Sequence, residues 1–217
     1  MKIIACSTNP GKLFERDFKN SIPEDVLIQR MIDPVQSFLT GPNTIFSPRQ
    51  PYDFFMYSYP ILFCLELKSK GIRHITFYRE DFVGGKVKED DFDIKKHQIE
   101  ELTKARMHEG IMAGFVINFR IDDHTYYFDI DDFNWLIEDL PKKSINEEDI
   151  LAAGGILIDQ ELVRTRYRYD IHKFIEDAKR YMKNENQRKG SKRRRKIAYE
   201  KEIESKKRRR VRRTSRS

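Results

Sequence analysis

"QPYDFFMYSYPILFCLELKSKG", residues Gln50–Gly71, is the most apolar stretch of the chain, yet it carries Asp53, Glu66 and Lys68. Its two halves, "YDFFMYSY" and "ILFCLELKS", are rich in aromatic and branched side chains, are split by Pro60, and both suit β-strands. If they pair as an antiparallel hairpin about Tyr59-Pro60, opposed residues have numbers that sum to 119, so Asp53 faces Glu66. Directly opposed residues share a face of the sheet, with Cβ atoms about 4.5–5.5 Å apart. Lys68, two residues beyond Glu66, points to the same side. Tyr52, Leu65 and Leu67 are expected on the other side, in the core. A slip of one residue would scatter the charged group.

Composition bounds what surrounds this hairpin. A chain of 217 residues, 39% hydrophobic and 35% charged, is long enough for one domain with a sizeable core plus a tail. No apolar run reaches the roughly 18–20 residues of a membrane span, and "MKIIAC" is too short for a secretory signal. Cys6 and Cys64 read as free thiols in a reducing, cytoplasmic interior, a disulfide being the minor alternative. The net charge of +7 conceals an asymmetry. Residues 186–217 hold 16 Lys and Arg against 3 Glu, while 26 basic and 32 acidic residues remain in 1–185, a net of −6. The expected division is therefore a folded domain over 1–185 and a basic tail over 186–217. Clusters such as Arg193, Arg194, Arg195 and Arg208, Arg209, Arg210 cannot bury a core and suit a polyanion, with counterion release supplying affinity. A solubility tail or a nuclear-import signal has the same composition.

The flanking segments set the fold class. "NPGKLFERDFKNSIP" predicts a helix capped by Asn9 with Pro10 at its first position, and "VLIQRMI" a strand. Residues 33–50 form a long excursion rich in Pro, Gly and Ser. "IRHITFYR" is extended and "DFVGGKVKEDD" turn-rich. "DIKKHQIEELTKARMHEG" predicts a helix, then "IMAGFVINFRI" and "TYYFDI" a hairpin. "DDFNWLIEDL" follows as a helix capped by Asp131 or Asp132, and "SINEEDILAAGG" as one capped by Ser144. "ILIDQELVRTRYRYD" is partly extended and "DIHKFIEDAKRYM" helical. This order predicts an α/β protein (α+β mixed sheet) with flanking helices.

The chemistry follows from the hairpin. Two carboxylates held that close repel unless a cation lies between them. Mg²⁺ commonly takes one or two carboxylates together with waters and a substrate phosphate. A neighbouring lysine can stabilise phosphate charge or serve a water. The set points to metal-assisted phosphodiester hydrolysis. A salt bridge on an exposed strand face is the plain alternative. Lys142 and Lys143 precede the expected helix start and suit a phosphate contact. Arg164, Arg166 and Arg168 alternate with Thr165, Tyr167 and Tyr169, which on a strand makes either a phosphate track or a solvated edge.

Pro51-Tyr52-Asp53, then Glu66-Leu67-Lys68, then Gln98 on a helix, resemble the PD-(D/E)xK nuclease superfamily and its restriction-endonuclease-like core. "GKLFERDFKNS", "YDFF", "LELKS", "KKHQIEEL", "AGFVINFR", "YYF" and "KKSI" resemble, in order, the RecU family of Holliday junction resolvases, over roughly residues 10–175. The resemblance implies a homodimeric endonuclease that uses Mg²⁺ or Mn²⁺ to cut four-way DNA junctions in recombination and repair, in a bacterial or phage-infected cytoplasm. It implies that Glu15, Asp53, Glu66 and the Leu67 carbonyl hold the metal. Lys68 would serve the water or the scissile phosphate, and Gln98 would orient a water, a phosphate or Lys68. Glu15 is otherwise a first-turn helix carboxylate, and Gln98 a surface amide. The excursion Asp33–Gln50 stands where the family inserts a junction-probing stalk. Two alternatives remain: an end-processing or restriction-like nuclease on the same core, and a non-catalytic DNA-binding protein acting through its tail.

Overall fold

A computed structural model describes residues 9–31, 50–84 and 87–184. The chain divides into two units, residues 1–175 and 176–217. The expected stalk-like excursion lies outside the described residues, apart from Gln50, and so do Cys6 and the basic clusters of the tail.

The first unit is built on a mixed sheet. Helix α1 (Pro10–Asn20) starts as expected: the Asn9 side chain accepts from the Gly11 N–H at 2.9 Å, and Pro10 takes the first turn, where no N–H is needed. Strand β1 (Leu27–Arg30) leads to β2 (Phe54–Ser58) and β3 (Ile61–Lys70), and β4 (Ile75–Thr76) follows. Two 3-10 turns bridge to α2 (Lys96–Arg106). Then come β5 (Ile111–Phe119), β6 (His124–Asp129), α3 (Ile130–Asp139), β7 (Ser144–Ile145) and α4 (Glu147–Ala153). Strands β8 (Ile156–Ile158), β9 (Gln160–Val163) and β10 (Arg166–Tyr169) precede α5 (Ile171–Lys183). The fold is mixed α/β. Its main sheet has the order β1-β2-β3-β5-β6-β8, with β3 and β5 parallel and the other neighbours antiparallel.

The hairpin register is the one with sum 119: Phe54 opposes Leu65, and Ser58 opposes Ile61. The Tyr59-Pro60 peptide is cis, and Pro60 is the third residue of the four-residue turn from Ser58 to Ile61, the place a cis proline takes in such turns. Alternation then sorts the sheet. Cys64, Glu66, Lys68 and Lys70 share a face with Phe115, Ile117 and Phe119. On this face Phe115 and Phe128 pack against Phe133 of α3, at ring separations of 5.1 and 5.9 Å. On the other face Phe63 and Tyr127 both meet Phe174, each at 5.4 Å. Gly114 sits where β6 comes closest: a Cβ there would lie 2.3 Å from the Phe128 carbonyl oxygen.

Four local expectations are corrected. Tyr52 packs on Phe55 (5.2 Å, edge-on) beside the core of the α2 face, not on the opposite side, because β2 begins only at Phe54 and strand alternation does not reach back to it. Asp129, not Asp131 or Asp132, caps α3. Asn146 caps α4 in place of Ser144, whose backbone is used in the β7–β4 pair. Glu15 lies in the middle of α1, not in its first turn.

Candidate active site

Asp53 stands at the mouth of the β2–β3 hairpin and is pinned from both sides. Its N–H donates to the Leu65 carbonyl (3.0 Å), and its carbonyl accepts from the Met31 N–H (2.8 Å). Its Oδ2 accepts from the Leu67 N–H at 2.7 Å. Leu67 thus meets Asp53 through its own backbone.

Glu66 is 6% exposed although it is a carboxylate. Lys68 Nζ lies 3.0 Å from its Oε1, and Gln98 Nε2 donates to the same oxygen. The Gln98 amide is oriented by the start of α2. Its Oε1 accepts from the Lys95 N–H at 3.0 Å, the one half of a capping box that a lysine at the cap allows, so Nε2 is left to point at Glu66. The start of α2 is in turn tied to the end of β3. Asp93 bonds Lys70 Nζ (2.7 Å) through one oxygen, and the Thr76 N–H (3.0 Å) and hydroxyl (2.8 Å) through the other.

The electrostatics mark this corner as short of positive charge. Burial pushes the Glu66 carboxyl up to about 7; Lys68 opposes that shift, while Asp53 and Glu15 add to it. Glu15 is also pushed up, first by burial and then by Asp53, against Arg30, Lys12 and Lys68. The three carboxylates therefore repel one another. Glu15 is held at 2.5 Å by Arg30. Among the described residues no three His, Cys, Asp or Glu side chains group closely enough to hold a metal ion. Glu15, Asp53 and Glu66 act on one another electrostatically, with Glu15 engaged by Arg30. The strand pair Asp53 and Glu66 still suits a hard divalent ion, which needs only one or two carboxylates when water and phosphate complete its shell.

A cleft of about 850 Å³ runs past these groups, and Asp53, Glu66 and Gln98 line it. Lys19, Arg30, Lys95 and His97 line it too. The three cations, from α1, β1 and the start of α2, are functional candidates that the sequence reading missed. One signal was available: Lys19 follows Glu15 by one helical turn, which puts both on the same side of α1. Arg30 and Lys95 carry no local signature, since only the folded sheet brings them to the cleft.

The secondary positions fare differently. Lys142 pairs with Asp149 in the first turn of α4 (2.6 Å), and Lys143 sits over the Phe82 ring (5.2 Å). Arg166 and Arg168 lie on β10, where both are exposed, but Arg164 occupies the β9–β10 turn with a positive φ of 60° and does not continue their row. Cys64 is a buried free thiol.

No family model matches the chain. The SPbeta prophage-derived uncharacterized protein YotM of Bacillus subtilis (strain 168) is 29% identical over 128 residues, which is 58% of this chain and 59% of that protein. The chain thus spans about three fifths of the length of the curated relative it matches. Among solved structures, Hjc, a Holliday junction resolvase from Archaeoglobus fulgidus, aligns with a TM-score of 0.40 at 14% identity, over 68% of this chain and 95% of that one. That likeness is too distant to carry an argument about this chain. Among the described residues no helix is long and apolar enough to cross a membrane.

Proposed function

We propose that this chain is a metal-dependent endodeoxyribonuclease of the PD-(D/E)xK kind, RecU-like, acting on four-way DNA junctions. One observation carries the reading: Asp53, beside the hairpin, acts electrostatically on Glu66, one oxygen of which holds Lys68 and Gln98, and Asp53, Glu66 and Gln98 line a cleft with Lys19, Arg30 and Lys95. Asp53 and Glu66 would hold Mg²⁺ or Mn²⁺, with Glu15 joining only on leaving Arg30. A bound ion of this type neutralises phosphate charge and raises the acidity of a water.

The remaining work falls to the chain itself. Gln98 keeps Oε1 of Glu66 engaged, which would leave Oε2 for a bound ion. Lys68, beside Glu66, is placed to hold the attacking water or a non-bridging phosphate oxygen as charge builds there. Lys19, Arg30 and Lys95 hold backbone phosphates on either side of the scissile one. In the reaction a water oxygen bonds to phosphorus and gives up a proton, one P–O ester bond breaks, and the leaving sugar oxygen takes up a proton, leaving a phosphate monoester and a hydroxyl end. Two opposed scissile phosphates on a two-fold junction suit a homodimer. The prophage origin of the relative favours a phage context.

The test is incubation of the purified chain with a four-way junction and with linear duplex of the same sequence, with and without Mg²⁺. Cleavage of the junction alone, lost in Asp53→Ala and Lys68→Ala, is expected. Equal cutting of linear duplex would remove the junction specificity and leave a general nuclease. Metal-independent binding without cleavage would leave a DNA-binding protein.

A further inference from the structure

Helix α1 has a second side. Lys19 faces the cleft that holds Asp53 and Glu66, whereas Arg16 and Asn20, each one residue from a cleft-side neighbour, line a separate groove of about 320 Å³. Its walls are Arg16, Asn20 and Ser21 from α1 and its cap, and Arg166, Tyr167 and Arg168 from β10.

The groove is held open by a fixed set of bonds. Its floor is Asp17, only 5% exposed. The Asp17 carboxylate accepts a long bond from the Tyr167 N–H (3.4 Å) and lies 3.5 Å from Arg166. Ser21 Oγ donates to the Asp17 carbonyl (2.7 Å) and accepts from the Tyr169 N–H (3.0 Å). Asp17 thus answers Arg166. Arg16 and Arg168 are exposed and make no ion pair among the described residues, although Glu161 stands opposite Arg168 across the hairpin. The result is two uncommitted guanidinium groups and a hydroxyl-and-amide wall on a surface whose shape the backbone fixes. That chemistry matches a phosphodiester backbone, with planar donors for phosphate oxygens.

We infer that the groove between α1 and β10 seats a DNA backbone segment next to the one in the cleft, with Arg16 and Arg168 as its phosphate contacts. A helix with its side chains is about 10–12 Å across. At about 3.4 Å of rise per nucleotide, α1 then separates the two contacts by on the order of three nucleotides. One helix therefore carries both the cleavage side, through Glu15 and Lys19, and the seating side, through Arg16 and Asn20. This inference rests on the reading that the chain acts on DNA, but not on its being a nuclease.

The test is binding of the full-length chain to a fluorescent four-way junction, in EDTA so that no cleavage occurs, across a range of KCl. Arg16→Gln/Arg168→Gln should lower the salt slope by about two, since each lost phosphate contact removes about one. Arg73→Gln/Lys104→Gln makes the same charge change elsewhere and should leave the slope near wild type. Ethylation interference should show that the phosphates whose modification weakens wild-type binding, about three nucleotides from the cleft contacts, no longer matter to the double variant. An unchanged slope, an equal drop in the control pair, or an unchanged interference pattern would overturn the inference. If the wild type binds but never cleaves with Mg²⁺, the nuclease reading fails while the slope still decides the groove. If it binds no DNA, both fail. Thermal melts matched to wild type confirm that the variants fold.

Discussion

Four carboxylates are buried among the described residues, Asp17, Glu66, Asp129 and Asp132, and two of them are treated in opposite ways. Asp129, 1% exposed, is surrounded by donors: Arg106 Nε at 3.3 Å from both oxygens, the Tyr127 hydroxyl at 3.0 Å and the Asp131 N–H at 3.0 Å. Glu66 takes both Lys68 and Gln98 on one oxygen and faces two carboxylates of its own sign. Burial raises the pKa of both groups. The first site is closed, since its bonds hold the end of β6 to the start of α3. The second has one positive partner, Lys68, set against two neighbours of its own sign. A buried charge with its full set of donors reads as architecture, and one short of them reads as a place for a ligand.

Substitution should separate the two most sharply. Glu66→Gln is expected to lower Mg²⁺-dependent cleavage by ~10³-fold or more, the scale on which charge-stabilising groups act, with the melting temperature unchanged or raised. Asp129→Ala should do the reverse. It takes from buried Arg106 the nearer of its two carboxylates, Asp131 remaining at 3.7 Å, at a cost of about 3 kcal/mol in a denaturant titration, while any protein that still folds keeps its cleavage rate per active site. A stable Asp129→Ala protein together with an unstable Glu66→Gln protein would break the comparison.

The pH dependence of stability should carry the same signature. With its pKa raised from the ordinary 4.5 to about 7, folded Glu66 keeps a proton that the unfolded chain releases. Stability from this group is therefore full below about pH 4.5, falls as pH rises through 7 and is flat above. The total is on the order of 3 kcal/mol. Mg²⁺ should restore melting temperature at pH 8 and have little effect at pH 5, and Glu66→Gln should abolish both trends. A Mg²⁺ shift that persists in Glu66→Gln would place the ion elsewhere.

Gln98→Ala tests the aim of the carboxylate. Loss of an orienting partner typically costs 10–100-fold in metal affinity or activity, and loss of the capping box about 1 kcal/mol. Gln98→Glu can keep the cap but sets a third negative group against Glu66, so its cleavage should fall further while its stability falls less. The smallest effect belongs to Arg30→Gln. The Arg30–Glu15 pair is partly exposed, so stability should change by under about 1 kcal/mol. Released Glu15 should lower the Mg²⁺ concentration needed for half-maximal cleavage.

What was legible in the sequence followed from local rules. The hairpin register needed only residue parity and a turn position, so the approach of Asp53 to Glu66 could be stated from numbering alone. The same parity misplaced Tyr52, because the strand begins after it. Caps shifted by two residues where several capable side chains lie in a row, as with Ser144 and Asn146, since tertiary pairing of β7 chose between them. The orientation of Gln98 was not legible: its capping box has lysine, not serine or threonine, at the cap. Nor was the grip of Arg30 on Glu15, which joins residues 15 apart through the fold of β1 beside α1.

The parallel pairing of β3 with β5 has a consequence for the order in which activity can arise. Asp53 and Glu66 meet through a hairpin, a short-range event, whereas α2 is the crossover that parallel strands require, and it is seated only when β5 docks beside β3. A nascent or partly unfolded chain therefore brings its two carboxylates together before the amide that aims them. Under the proposed function, a chain in which β5 has not yet docked would hold the carboxylate pair without the amide that aims it, so cation binding would precede cleavage.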